Sequence, residues 1–360
     1  MNAVQVHVRK GALTDAALAE VPLAPLGDGA LRLGIESFAV TANNVTYAVA
    51  GDAFRYSDFF PAPDGMGIVP MWGHARVIES RHPDIAVGER VYGYLPMASH
   101  LDVLPGRVSE GGFADMAAHR QPMSPVYNSY TRLAADPEHD PAREAERMIF
   151  GPLFRTGFLI EYFLRGEGWF GAEQLVVTSA SSKTALGLAS VARQSSPQVK
   201  RIGLTSRGNV GFVEASGLYD AVFAYDDLER VTVLRSVSVD FAGNAELLAR
   251  IHRLFGAALT HSALVGMTHI EARSTLGGSE ALPGPKPALF FAPDHADAFF
   301  KAHGPEEGGR LIAAAWRAFL AASAGAITIA RLPGLAAARD VFTAMVAGRA
   351  DPAKGIVIEP

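Results

Sequence analysis

Two hydrophobic rhythms divide the chain. Up to about residue 121 the apolar positions come in short strand-like runs, such as the alternating 4–8 and the denser 31–40, and the stretch 61–73 is crowded with Gly and Pro. That pattern predicts an irregular, mostly β segment. From residue 174 strands and helices take turns. Strands are predicted at 174–178, 199–206, 221–225, 236–241, 263–267 and 288–291, with helices at 185–192, 209–217 and 245–255 between them. Alternation of this kind implies an α/β fold with a doubly wound parallel sheet. The charged stretch 136–147 holds two prolines and reads as a loop or linker, followed by a helix over 143–164 broken near Gly151-Pro152. The tail predicts a helix at 296–324, a strand at 327–329, a helix at 336–347 and a last strand at 355–359.

The stretch QLVVTSASSKTALGLASV, 174–191, joins a buried strand to a helix through small residues. Small side chains there let the backbone approach a diphosphate, whose charge is favoured at the positive end of the following helix. The usual G-x-G-x-x-G is replaced by Ala180, Ser182 and Ala185 at the same spacing. The same letters also suit a βα turn that binds nothing. A P-loop is excluded, because Val177 and Ser182 occupy its glycine positions ahead of Lys183 and Thr184. A Ser-x-x-Lys nucleophile is excluded because Ala180 stands three residues before Lys183.

Length and composition narrow the classes. A chain of 360 residues suits two domains, and 49% hydrophobic residues supply a large core. The net charge of −5, with Lys and Arg scattered, argues against nucleic acid as a partner. No cysteine is present, which rules out thiolate metal sites, disulfides and a cysteine nucleophile. No apolar run is long enough to span a membrane and no signal pattern opens the chain, so a cytoplasmic protein is expected.

Several motifs give the order of segments a family likeness. Gly88-Glu89-Arg90-Val91, Gly111-Gly112-Phe113-Ala114-Asp115, and the ending from Gly348 through Lys354-Gly355-Ile356-Val357 resemble motifs of the medium-chain dehydrogenase/reductase superfamily, near its zinc-free quinone oxidoreductase and enoyl reductase branch. Thr41-Ala42-Asn43-Asn44-Val45, residues 179–185, Gly203-Leu204-Thr205-Ser206-Arg207 and Val265-Gly266-Met267-Thr268-His269 resemble an uncharacterised bacterial subfamily of that group, known as a domain of unknown function. The resemblance implies a GroES-like substrate domain over 1–121, a Rossmann dinucleotide-binding domain over 122–292, and a C-terminal return over 293–360. It also implies a homodimer formed by pairing the strand at 288–292 across subunits, acting on a small-molecule substrate.

Residues at the strand ends then gain expected roles. An NAD site usually carries an acid after the second strand; here Thr205, Ser206 and Arg207 stand there, with Asn209 close behind. A hydroxyl and a guanidinium suit a 2′-phosphate, so NADP(H) is the expected cofactor. Ala180, Ser181, Ser182, Lys183 and Thr184 would line the diphosphate. Tyr225 resembles the family's adenine-stacking tyrosine, and Thr268 and Phe291 would flank the nicotinamide; a buried strand aromatic is the plainer reading of Tyr225. No metal is expected, because the zinc-dependent relatives need cysteine, and His74, His100 and His119 show no ligand spacing. Hydride transfer then needs donors to stabilise developing negative charge. Asn43, Asn44 and Tyr47 are the candidates, with Asn44 to hold ribose or carbonyl and Tyr47 to give a proton or a hydrogen bond; the segment resembles the family's asparagine-containing cleft loop. Tyr127 and Asn128 form a second pair. The expected activity is zinc-independent, NADPH-dependent reduction of a conjugated carbonyl, quinone or enoyl compound; a non-catalytic dinucleotide-binding module is the alternative.

Overall fold

The computed structural model describes residues 2–121, 123–265, 282–323, 325 and 327–360. It divides into two compact units, Met1–Ile149 with Thr328–Pro360, and Phe150–Ile327.

The first unit is mostly β. Its strands are β1 (Asn2–Arg9), β2 (Ala16–Pro22), β3 (Leu31–Val40), β4 (Met66–Gly67), β5 (Pro70–Ser80), β6 (Arg90–Pro96), β7 (His100–Val103), β8 (Pro105–Gly106), β9 (Gly112–Asp115) and β10 (Ser129–Arg132). Two helices interrupt them, α1 (Ala42–Val49) and the single turn α2 (Pro125–Asn128), and α3 (Glu144–Gly166) begins at the unit's end. A small antiparallel sheet runs β2-β1-β4, and a larger one places β3, β5, β6, β10, β9 and β8 side by side, with β7 also on β3. The β3–β5 ladder runs from Leu31 opposite Ser80 to Ala39 opposite Trp72. Alternate positions of β5 share a face, so Trp72 and His74 point the same way.

The second unit carries a six-stranded sheet in which every pair is parallel. Its strands are β11 (Gln174–Val177), β12 (Lys200–Thr205), β13 (Ala221–Ala224), β14 (Ser236–Asp240), β15 (Leu259–Leu264) and β16 (Ala288–Leu289), in the order β13-β12-β11-β14-β15-β16. This is the doubly wound Rossmann arrangement, whose order reverses between β11 and β14. Among the described residues its helices are α4 (Lys183–Ser195), α5 (Val210–Ala215), α6 (Ala245–Phe255) and α7 (Ala292–Ala322), beside the greater part of α3. All four residues of β11 are buried, as a strand covered on both faces requires. α6 starts where Asn244 accepts a hydrogen bond from the Leu247 amide at 2.9 Å. Its Leu247, Ile251 and Phe255 pack with Val176, Ile202 and Leu204 of the sheet. Each such side chain taken out of water contributes about 1.5–3 kcal/mol. α3 and α4 run unusually close: a Cβ on Gly157 would meet the Leu188 amide nitrogen at 2.5 Å, and one on Gly187 would meet the Phe154 Cα at 3.1 Å.

The chain then returns to the first unit through β17 (Thr328–Pro333), α8 (Gly334–Val346) and β18 (Lys354–Glu359). β18 pairs with β3, Ile356 opposite Val40. The units are bounded differently from the expected segments, which ended at 121 and 292. Residues 129–132 belong with the first unit because β10 pairs with β6 and β9. α7 belongs with the second because its Trp316 and Phe319 pack on Phe154, with ring centroids 5.3 and 5.1 Å away.

Three local expectations change. α3 is not broken at Pro152; the helix carries the proline in its interior, held by buried Phe150 and Phe154 on either side. The tail helix is instead interrupted at Gly304, whose φ of 75° is open to glycine, ahead of Pro305. Residues 42–49, in the segment likened to the family's asparagine-containing cleft loop, form a helix.

Candidate functional site

In the Rossmann unit the end of β11 meets the end of β14 at the point where strand order reverses, the usual ligand position in such sheets. Buried Thr178 donates from Oγ1 to Asp240 Oδ1 at 2.5 Å and accepts from the amides of Phe241 and Ala242. Asp240 also accepts from the Ala242 and Gly243 amides. Burial raises its carboxyl above the usual range, against the pull of those donors. Neither Thr178 nor Asp240 was expected from the sequence, since the pair lies 62 residues apart.

The turn that follows contains no glycine. Ser179 takes the left-handed conformation, φ 48°, that glycine normally fills. Ala180 is fully buried, its amide donating to Leu204 at 3.0 Å and its carbonyl accepting from the Tyr219 hydroxyl at 3.2 Å. β12 can pass so close only because residue 203 is glycine: a Cβ there would lie 3.0 Å from that of Ala180. Ser181 Oγ accepts from Thr205 at 3.3 Å and from Asn209 at 3.2 Å, which ties the turn to the end of β12. Ser182 caps α4 by accepting from the Ala185 amide at 3.3 Å. Lys183 and Thr184 are the first residues of α4, at the positive end of the helix dipole.

The structure places the expected cofactor residues unevenly. Ala180, Ser181, Ser182, Lys183, Thr184, Ser206 and Asn209 gather at the ends of β11 and β12. Arg207 is exposed and faces two carboxylates, Asp227 at 3.2 Å and Asp226 at 3.7 Å. These acids directly follow Tyr225, so the signal for them stood beside a residue already singled out. Tyr225 is half-buried, and its hydroxyl accepts from the Ser179 amide at 3.1 Å, bracing the turn. Phe291 sits just beyond β16, at the N-terminus of α7. Thr268 lies outside the described residues.

In the first unit Asn44 is buried with both ends of its amide occupied. Oδ1 accepts from the Thr41 amide at 2.6 Å, and Nδ2 donates to the Pro70 carbonyl at 2.8 Å. It fastens the start of α1 to β5, whereas the sequence reading expected it to hold ribose or a carbonyl. Tyr47, one turn further on, is buried among aromatic rings, with Tyr56 at 4.7 Å and Tyr94 at 5.3 Å between centroids. Its hydroxyl accepts from Trp72 Nε1 at 3.1 Å. Burial, with the neighbouring Tyr56 and Tyr92, holds the Tyr47 hydroxyl well above its ordinary pKa, against the hydrogen bonds of Trp72 and Asn43. Burial thus keeps the hydroxyl neutral and makes it a weaker acid than a free tyrosine, while leaving its O–H able to donate a hydrogen bond. Tyr127 joins the same ring cluster and meets the Tyr56 hydroxyl at 3.3 Å. Asn128 exchanges hydrogen bonds with buried Arg120 and is spent there. Among the histidines, His100 meets Ser99 Oγ at 2.7 Å and His119 approaches the Phe59 carbonyl at 3.3 Å.

A mostly β unit with a six-stranded Rossmann unit is the architecture of the medium-chain reductases, and solved structures of that type share it. They include CurA in complex with NADPH from Vibrio vulnificus (14% identical, 99% of this chain and 98% of that one, TM-score 0.60). The quinone oxidoreductase from Coxiella burnetii is 10% identical over the whole of both chains, TM-score 0.58, and the CurK enoyl reductase is 12% identical over 99% of each, TM-score 0.58. By sequence the chain belongs to the family described as "Protein of unknown function (DUF2855)", whose model matches residues 38–351. No curated protein sequence matches it. Among the described residues no helix is long and apolar enough to cross a membrane.

Proposed function

We propose that the protein is an NADP(H)-dependent reductase that acts on a conjugated carbonyl, quinone or enoyl compound without zinc. The observation that carries this reading is the small-residue turn between β11 and α4, set where strand order reverses and leading into the N-terminal turn of α4. Left-handed Ser179, buried Ala180 and the close approach of Gly203 give the turn the small residues that a dinucleotide site needs. NADPH bound to CurA, and the quinone and enoyl reductases among the similar folds, support the cofactor and the substrate class.

When bound, the nicotinamide supplies a hydride. The chain's own part is to hold and to protonate. Lys183 and Thr184 would hold the diphosphate by their amides, while Ser206, Arg207 and Asn209 would take the 2′-phosphate side. Tyr47, whose hydroxyl is aligned by the Trp72 N–H, would give a hydrogen bond or a proton to the oxygen on which negative charge develops. The absence of cysteine removes the thiolate set used for zinc by other members of the superfamily. Two copies would pair through the β16 edge, where Leu289 is exposed. NADPH oxidation with a panel of enones and quinones tests the reading, and a panel without turnover refutes the catalytic part.

A second reading, a non-catalytic dinucleotide-binding module, is favoured by the bonds already made inside the turn, from Ser179 to Tyr225 and from Thr205 and Asn209 to Ser181. Tight NADPH binding with no hydride transfer, unaltered by Tyr47→Phe, would decide for it.

A further inference from the structure

In the first unit three side chains converge that the reductase reading leaves unused. His74 is on β5, His139 lies in the loop after β10, and Glu144 opens α3; one donor atom from each falls within 4.8 Å of the other two. His74 is fully buried, and among the described residues neither of its ring nitrogens has a hydrogen-bond partner. Nδ1 of His139 is buried without one as well. Nε2 of His139 lies 3.7 Å from Glu144 Oε1. A buried nitrogen left unanswered costs free energy, and a bound ion is one of the few things that can answer it.

The charges facing the cluster are balanced. Arg90 donates to both Glu144 oxygens, at 2.7 and 3.1 Å, and to Glu36 at 2.7 Å. Arg147 pairs with Asp136 at 2.8 Å and lies over the Tyr92 ring. Each guanidinium thus has its own carboxylate, and a Glu144 oxygen that accepts from Arg90 keeps a lone pair for a second partner.

We propose that His74, His139 and Glu144 form a site for a divalent transition-metal ion of the zinc type, bound by two imidazole nitrogens and one carboxylate oxygen with the remaining position open to solvent. Zinc takes this mixed donor set, whereas calcium and magnesium favour oxygen alone. Metal–ligand bonds of about 2.0–2.2 Å draw the donors closer together, and the partly exposed side chains of His139 and Glu144 supply the movement. The ion would clasp the 136–143 loop and the first turn of α3 to the middle of β5. Tyr92 lies between His74 and Trp72, with centroids 5.2 and 5.8 Å away, so the clasp also braces the strand that aligns Tyr47. The site itself does not rest on the reductase reading.

Tag-free protein stripped with a chelator is titrated with Zn²⁺ against a chromophoric chelator, and separately with Co²⁺ while ligand-field absorption is followed. Support is one tightly held ion per chain, with affinity lowered about tenfold or more by His139→Ala and by His74→Gln and unchanged by His82→Asn. No binding, or binding that the His139→Ala protein retains at full strength, overturns the proposal. Because His139 is partly exposed, that variant decides the matter even if His74→Gln does not fold.

Discussion

The guanidinium of Arg207 stands 3.2 Å from the carboxylate of Asp227 at the end of the second parallel strand. A 2′-phosphate arriving there competes with that carboxylate for the same donors. Arg207→Ala should weaken NADPH about tenfold or more, the range of a charged hydrogen bond, and leave NADH nearly unchanged. Asp227→Asn should act the other way and tighten NADPH. Fluorescence titration of both cofactors checks the pair, and equal weakening of the two by Arg207→Ala removes the 2′-phosphate assignment.

Tyr47 offers a second test. If its hydroxyl gives the proton, Tyr47→Phe should lower kcat about a hundredfold or more, the usual range for a general acid, with NADPH affinity unaltered. Trp72→Phe, which removes only the aligning N–H, should cost less. Steady-state kinetics beside cofactor titration separates these outcomes.

Gly203→Ala probes the turn from behind. The new methyl would press on Ala180 at 3.0 Å and on the Tyr219 ring at 3.1 Å. Overpacking of this kind costs roughly 1–3 kcal/mol. Urea unfolding should show that loss, and NADPH binding should weaken with it. An unaltered protein would mean that the turn is looser than described.

Glu161 makes stability depend on pH. It is fully buried on α3, accepts from Ser196 at 3.0 Å and pairs with Arg165 at 3.2 Å. Burial raises its carboxyl above the ordinary glutamate value, against the pull of Arg165 and Ser196. Between the unfolded and folded values the native state holds more protons than the unfolded chain, so stability falls as pH rises through that window. Glu161→Gln should remove this fall. The thermal midpoint of the variant, relative to the parent, should therefore climb with pH across the mildly acidic range.

Much of the architecture was legible because single segments carry it. The helix at 245–255 appears with the expected bounds, since Asn244 caps it and its apolar side faces the sheet. The run at 174–177 could be read because a strand buried on both faces is apolar throughout. Residues 42–49 hid their helix behind two asparagines and β-branched neighbours, and only the bond from the Thr41 amide to Asn44 shows what starts it. The strand expected at 263–267 begins at Leu259, ahead of the polar Thr260 and His261 that masked it. At the candidate site the small turn was visible, whereas the partners that define its chemistry were not. Asp240 on Thr178, Trp72 on Tyr47, and His139 beside His74 each join residues far apart in sequence. No local pattern encodes such meetings.

Gly157 and Gly187 leave the two helix backbones almost touching just behind the diphosphate turn. If the proposed cofactor binds at the head of α4, its grip depends on two missing methyl groups remote from it. A substitution there would wedge the helices apart and tilt the row of amides, loosening a nucleotide without contacting it. Variation at these two glycines is therefore a hidden control on affinity, invisible to any survey confined to the binding face.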